Sequence, residues 1–93
     1  MAASIRLKVL TDAGTSLEEE AVSIRAPGEL GYLGILHNHA PLVTTLAPGR
    51  VTWRTPSGAQ HARLIDGGFL EIIRNECTIL THHVSPTDEG PTK

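Results

Sequence analysis

The residues of this chain that could do chemistry are five histidines, one cysteine and ten carboxylates. His37 and His39 stand two apart, so on a strand both rings would point to one side. With Gly31 they match the opening of a Gly-x5-His-x-His metal site. A site of that kind needs a glutamate four or five residues further on, where this chain has Val43 and Thr44. His82 and His83 are adjacent, so a strand would send them to opposite faces. The bland reading is a hydrogen bond made by His39 in a turn before Pro41, with the other rings in water. Cys77 lies in an apolar run with no base nearby in sequence. It reads as a small buried residue rather than a nucleophile, and a single cysteine excludes an internal disulfide. Glu18, Glu19 and Glu20 read as a solvated edge that discourages sheet-to-sheet pairing. Asp66 before Gly67-Gly68 reads as a turn residue. Gly28, Gly31 and Gly34 make no phosphate loop, because no lysine follows and no helical pattern begins there. No catalytic triad is legible.

The elements that would position these residues are short. Ile5, Leu7 and Val9 alternate with Arg6 and Lys8, and turn residues follow at 12–15. Val22, Ile24 and Ala26 alternate until Pro27-Gly28. Leu42, Thr44 and Leu46 share a face before Pro48-Gly49. Val51 and Trp53 precede Pro56-Ser57-Gly58, and Ala62 and Leu64 precede Asp66-Gly67-Gly68. Phe69 opens a strand that closes at Ile73, and Cys77 opens the last one, through His82. Turns every eight to twelve residues predict an all-β sandwich or barrel. One segment competes: Ser16 and Glu19 have capping-box spacing, and Leu17, Ala21 and Ile24 lie near one helical face. The β-branched Val22 and Ile24 and the Pro-Gly stop favour a strand instead. Leu17 breaks the parity of Val22 and Ile24, which predicts a bulge or bend near Glu18-Glu19-Glu20.

Ninety-three residues form one small domain with a single core. Eight basic residues against ten acidic ones, with no basic run, argue against nucleic-acid binding by phosphate neutralisation. The only aromatics, Tyr32, Trp53 and Phe69, are too few for a base-stacking platform. No apolar stretch approaches the ~20 residues of a membrane span, and the start lacks the apolar region of a signal peptide. These features predict a cytoplasmic product of a bacterial-type cell. The most unusual segment is 27–49, where Leu30, Tyr32, Leu33 and Leu36 put apolar side chains into compact loops. Apolar loop residues on a small sandwich are an offer to a partner.

The residues at 27–42, PGELGYLGILHNHAPL, followed by Thr44, Leu46, Pro48 and Gly49, resemble the epsilon subunit of F-type ATP synthases. The opening Leu7-Lys8-Val9-Leu10-Thr11 and the later Asp66-Gly67-Gly68-Phe69-Leu70-Glu71-Ile72 fit the same family. The resemblance implies an all-β fold, a small sandwich or flattened barrel of about ten short strands over residues 1–83. It implies a non-catalytic central-stalk subunit of a proton-translocating ATP synthase, with no cofactor, which couples the γ subunit to the membrane c-ring. Carried over by position, Glu29, Leu30, Gly31, Tyr32 and Leu33 would face the c-ring, and Thr11, His39 and Thr44 would lie on the γ-facing side. Two departures from the family pattern stand out. Where the family often has an acidic residue this chain has Tyr32, which predicts a more apolar ring contact. Where it usually has proline before the Asn/Gly-His-Ala-Pro segment this chain has His37.

Residues 84–93 carry two prolines, a glycine and mostly polar side chains, and are expected to form a flexible tail. The family's C-terminal helical hairpin, with its inhibition of ATP hydrolysis, is expected to be absent. Localisation is expected at the cytoplasmic face of the bacterial inner membrane, with membrane contact only through the c-ring and no homo-oligomer. Two rival readings are kept. One is a cupin-like metal-binding β protein using His37 and His39. The other is a free-standing β-sandwich interaction module.

Overall fold

The computed structural model describes residues 3–89 of the 93-residue chain. Seven strands run β1 (Ile5–Thr11), β2 (Gly14–Ala21), β3 (Ser23–Gly28), β4 (Gly31–Leu36), β5 (Leu42–Arg54), β6 (Gln60–Ile73) and β7 (Glu76–Leu80). They form one sheet in the order β2-β1-β7-β6-β5-β3-β4. All pairs are antiparallel except β1 with β7. No helix occurs among the described residues, so the 14–21 segment resolves in favour of a strand.

The expected count of about ten strands is corrected to seven, and the reason lies at two sites read as turns. Pro48-Gly49 and Asp66-Gly67-Gly68 bend the chain without breaking the ladder. β5 and β6 keep one register through them, from Leu42↔Ile72 through Leu46↔Gly68 and Pro48↔Asp66 to Arg54↔Gln60. Gly67 and Gly68 take positive φ, 76° and 128°, which a residue with a Cβ rarely adopts. The long hairpin therefore folds across its middle. One half of it pairs with β7 and continues through β1 to β2, the other pairs with β3 and continues to β4. The open sheet folds over into two layers around one core, and this is how a single sheet becomes a sandwich.

The core lies between these halves. Leu7, Val9, Leu70, Ile72 and Ile79 from one meet Ile24, Ile35, Val51 and Trp53 from the other. Each fully buried aliphatic contributes about 1.5–3 kcal/mol relative to exposure. Trp53 donates its indole N–H to Glu19 across the layers, 3.2 Å. The glutamate run is thus split by the pleat. Glu18 pairs with Arg6 at 3.2 Å, Glu20 accepts from Ser4 Oγ at 2.7 Å, and Glu19 turns inward, against the expectation of a wholly solvated edge. Glu19→Ala is expected to cost about 1–3 kcal/mol in chemical denaturation, because the Trp53 donor loses its acceptor. Glu19→Gln, which keeps an acceptor oxygen, is expected to recover most of it.

The predicted irregularity exists at other positions. The β1–β2 register shifts between Val9 and Leu10, passing over Ser16, and the chain bends at Val22 between β2 and β3. Ala21, not Val22, is the buried residue there.

Residues 90–93 of the expected tail lie outside the described residues. As far as Glu89 the chain is tied to β6. The first half of β6 has no β7 beside it, so its N–H and C=O groups need other partners. Leu64 N–H donates to Ser85 Oγ at 2.9 Å, and Ser85 N–H returns to Leu64 C=O at 2.9 Å. Ala62 N–H donates to Asp88 Oδ1 at 3.0 Å, and Glu89 N–H donates to Ala62 C=O at 3.1 Å. Asp88 also accepts from His61 Nδ1 at 3.1 Å and from Arg63. Burial alone would push the Asp88 carboxyl up, but the Ala62 N–H and the His61 and Arg63 partners together outweigh it and hold it below the usual carboxylate range. A depressed carboxyl stabilises the fold fully above its ordinary pKa and loses that contribution as pH falls through the lowered value. The Ala62 and Glu89 amide resonances are therefore expected to move together below about pH 4. In Asp88→Asn that acid transition is expected to vanish.

Candidate functional site

The β3–β4 hairpin presents the segment expected to face the c-ring. Gly28 pairs with Gly31 around a two-residue tip, Glu29 and Leu30. Gly31 takes the positive φ, 137°, that closes so short a loop, and a Cβ on Gly28 would lie 2.6 Å from the Gly31 carbonyl oxygen. Two glycines thus push Leu30 fully into solvent. Glu29 is anchored at both ends: its N–H donates to Thr45 C=O at 3.4 Å, and its carboxylate accepts from Thr45 Oγ1 at 2.8 Å. Tyr32 is half exposed, with the Arg25 guanidinium 4.9 Å from its ring centre. Its hydroxyl oxygen accepts from Arg50 N–H at 3.4 Å. Leu33 points back and packs against the core. Four of the five loop residues are therefore exposed, and Leu33 supports them from beneath.

The three residues expected on the γ side do not gather. Thr11 ends β1, Thr44 lies midway along the first half of β5, and His39 sits beyond Leu36, beside the Arg74-Asn75 turn. Asn38 accepts from and donates to Asn75 there, at 3.1 and 2.6 Å. Thr11 and His39 therefore mark opposite ends of the same half-sheet. Thr44 pairs with Leu70, a wholly buried residue, so it belongs to the inward parity and reaches solvent only in part.

Between these marks the outward face carries one apolar row, beside a polar row that holds Glu71, Thr78 and Lys8. Thr45 pairs with Phe69, Phe69 with Leu80, and Leu80 with Leu10, giving one cross-strand row. Phe69 is 55% exposed, Leu80 49%, and Val43, on the same face two residues before Thr45, 71%. These fractions are high for large apolar side chains, and adjacent ones form a patch of the kind that marks an interaction surface. The row begins at Thr45, which holds Glu29, so the hairpin tip and the apolar face are contiguous. Sequence reading placed Phe69 and Leu80 in strands but not on this surface. The missed signal is Glu71: it shares parity with Phe69 and Ile73, and a carboxylate marks the outward side.

The residues weighed for bond chemistry are scattered. β4 ends at Leu36, so His37 lies in a turn and the strand geometry that would have aligned it with His39 does not exist. His39 Nδ1 lies 2.6 Å from the Ala40 carbonyl oxygen. Among the described residues no three His, Cys, Asp or Glu side chains gather in a metal-holding group. Cys77 is buried, and burial pushes its thiol up to about 12, out of nucleophilic range.

Residues 4–87 match the model of the ATP synthase delta/epsilon chain β-sandwich domain. The ATP synthase epsilon chain of Moorella thermoacetica is 40% identical over 87 residues, covering 94% of this chain and 65% of that one. The epsilon chain of Agrobacterium fabrum is 35% identical over 92 residues, covering 98% and 68%. That of Stenotrophomonas maltophilia is 42% identical over 77 residues, covering 83% and 55%. The chain thus spans between 55% and 68% of the length of these relatives. A chain of the Euglena gracilis mitochondrial ATP synthase, solved as an OSCP/F1/c-ring assembly, superposes with a TM-score of 0.85 at 27% identity over 90% of this chain and 54% of that one. A chain from the Tetrahymena thermophila central stalk and c-ring shares the fold, with a TM-score of 0.73 at 20% identity, covering 87% and 65%. Matched over almost all of its described residues, this chain belongs to the family of ATP synthase delta/epsilon chain β-sandwich domains.

Proposed function

We propose that this chain is a non-catalytic central-stalk subunit of a proton-translocating F-type ATP synthase, at the cytoplasmic face of a bacterial inner membrane, and that it joins γ to the c-ring. The observation that carries the reading is the contiguous band from the Glu29-Leu30 tip through Thr45 to Phe69, Leu80 and Leu10. A rotor joint must be held by two partners at once and transmit torque between them. One rigid sandwich with an apolar face and an adjoining projecting tip supplies both grips without moving parts. In this role γ covers the Phe69–Leu80 face between Thr11, Thr44 and His39, and the ring loops meet Glu29, Leu30, Gly31 and Tyr32, with Leu33 bracing them. The Euglena chain on which this one superposes comes from a structure of OSCP, F1 and the c-ring, which favours this reading over a free-standing module. The metal-binding alternative has no support in the placement of His37 and His39.

The ring contact is tested by Tyr32→Asp. Tyr32 is half exposed and outside the core, so the isolated chain is expected to unfold within about 0.5 kcal/mol of the parent. Retention of the c-ring in pull-downs of the assembled complex is expected to fall. Unchanged ring retention would remove the tip from the contact. Failure of the chain to bind γ at all would remove the rotor role.

A further inference from the structure

The half-sheet facing away from the Phe69–Leu80 surface has a chemistry that, Tyr32 apart, the rotor reading does not use. On the outward side of β4, β3 and β5 lies an open trough of about 770 Å³, lined among others by Arg25, Arg50, Arg54, Tyr32, Leu36 and Thr52. No carboxylate lines it, although the whole chain carries a net charge of -2. Five of the ten acidic residues lie on β2, β7 and the β1–β2 turn; the others lie at the hairpin tip, on β6 and after β7, where Asp88 pairs with His61 at the margin of the trough. Arg25 pairs with Thr52 and Gly34, and Arg54 pairs with Ser23, which itself pairs with Leu36. Arg50, Thr52 and Arg54 share parity on β5, so the two arginines flank Arg25 diagonally, one on each side. Gly34, with nothing within 4 Å of where a Cβ would stand, leaves the floor beside Arg25 bare. Neither Arg25 nor Arg54 forms an ion pair with a carboxylate among the described residues; Arg25 instead lies against the Tyr32 ring.

We propose that this trough receives an extended acidic segment of a partner polypeptide, with carboxylates on alternate residues pairing with the arginines. Charge and spacing both argue for it. Arg50 and Arg54 are four residues apart on one strand, about 13 Å, with Arg25 between them. That spread cannot converge on a single phosphate. It matches an extended chain, whose every second residue advances about 6.6 Å on one side. Guanidinium forks take carboxylates bidentately, and a lining without carboxylates leaves such pairs at Arg25 and Arg54 uncontested. A lipid surface is disfavoured by shape, since the arginines line a concavity and the apolar Leu36 sits on a strand rather than on a projecting loop.

The test is a fluorescence-anisotropy titration of the purified chain with a labelled peptide of about eight residues, glutamate alternating with valine, beside its glutamine counterpart. The glutamate peptide is expected to bind and the glutamine peptide to fail. Arg54→Glu, at an exposed position remote from the Glu29-Leu30 tip, is expected to weaken binding roughly tenfold or more, and Arg25→Gln by a similar factor. Raising salt from about 0.02 to 0.3 M is expected to weaken it further. Thermal unfolding of both variants is read alongside, so that loss of binding and loss of fold are separable. Equal binding to the glutamate and glutamine peptides, or binding indifferent to both substitutions, would overturn the proposal. So would displacement of the peptide by millimolar inorganic phosphate, or binding to phosphatidylglycerol vesicles with none to the peptide. Because Arg54 lies at the far end of the hairpin from the tip, a negative result here leaves the Tyr32→Asp and γ-binding outcomes untouched.

Discussion

Gly68→Val is expected to destabilise the fold more than any other single change considered. An ideal Cβ at Gly68 would stand 1.9 Å from the Leu80 carbonyl oxygen and 3.1 Å from Thr81 Cα. Both neighbours are backbone, so no rotamer change relieves the clash. The native φ of 128° adds strain for any L side chain. The sheet can accept the side chain only by parting β6 from β7. Leu70 and Ile79, wholly buried and paired across that seam, would part with it. Displacing two core aliphatics and straining the backbone together is worth about 4 kcal/mol or more. That is a large share of the ~5–15 kcal/mol that holds a small domain. Circular-dichroism melting is expected to show no cooperative transition, or a Tm lowered by roughly 15 °C or more. Gly34→Ala is the matched control: it has open space around its Cβ position and no positive φ, and is expected to melt within a few degrees of the parent. A Gly68→Val chain with unchanged Tm would show that the β6 bend is not built on that close approach.

Phe69→Asp is expected to do the opposite: preserve the fold and weaken γ binding strongly. Phe69 stands next to Gly68 in the chain, yet its side chain is more than half exposed, so the isolated domain loses little when it goes. At a docked interface a central aromatic typically carries 2 kcal/mol or more, and an unpaired buried carboxylate adds a further penalty. Affinity for γ is expected to fall roughly a hundredfold, with the melting curve within a few degrees of the parent. Leu80→Asp, its cross-strand neighbour, is expected to act in the same direction and sub-additively, since the two side chains share one patch. Together the adjacent residues Gly68 and Phe69 separate fold from function within a single strand.

The fold class was legible because turn residues recur at short spacing and apolar residues alternate between them. The strand count was not, because Pro48-Gly49 and Gly67-Gly68 look the same in sequence whether they reverse the chain or merely bend it. The difference is made by β5 and β6 bending together, each supplying the other's register, which is a long-range fact. The hairpin tip was legible as Gly28-Glu29-Leu30-Gly31, since the flanking glycines are what a tight loop requires. The apolar face was not. Phe69–Ile73 is apolar on both parities except at Glu71, and one carboxylate was the only mark of which side is wet. The inward turn of Glu19 was equally hidden, because its partner Trp53 lies on the opposite layer. The anchoring of Val84–Glu89 escaped notice because polar residues usually signal a loose segment; here they serve the open edge of β6.

The most direct measurement is a calorimetric titration of this chain with the purified γ subunit of the same organism, run beside Phe69→Asp. The account predicts a one-to-one complex with the parent chain and far weaker binding by a variant that melts normally. A parent chain that remains monomeric beside folded γ, or a Phe69→Asp variant that binds as tightly as the parent, would contradict it.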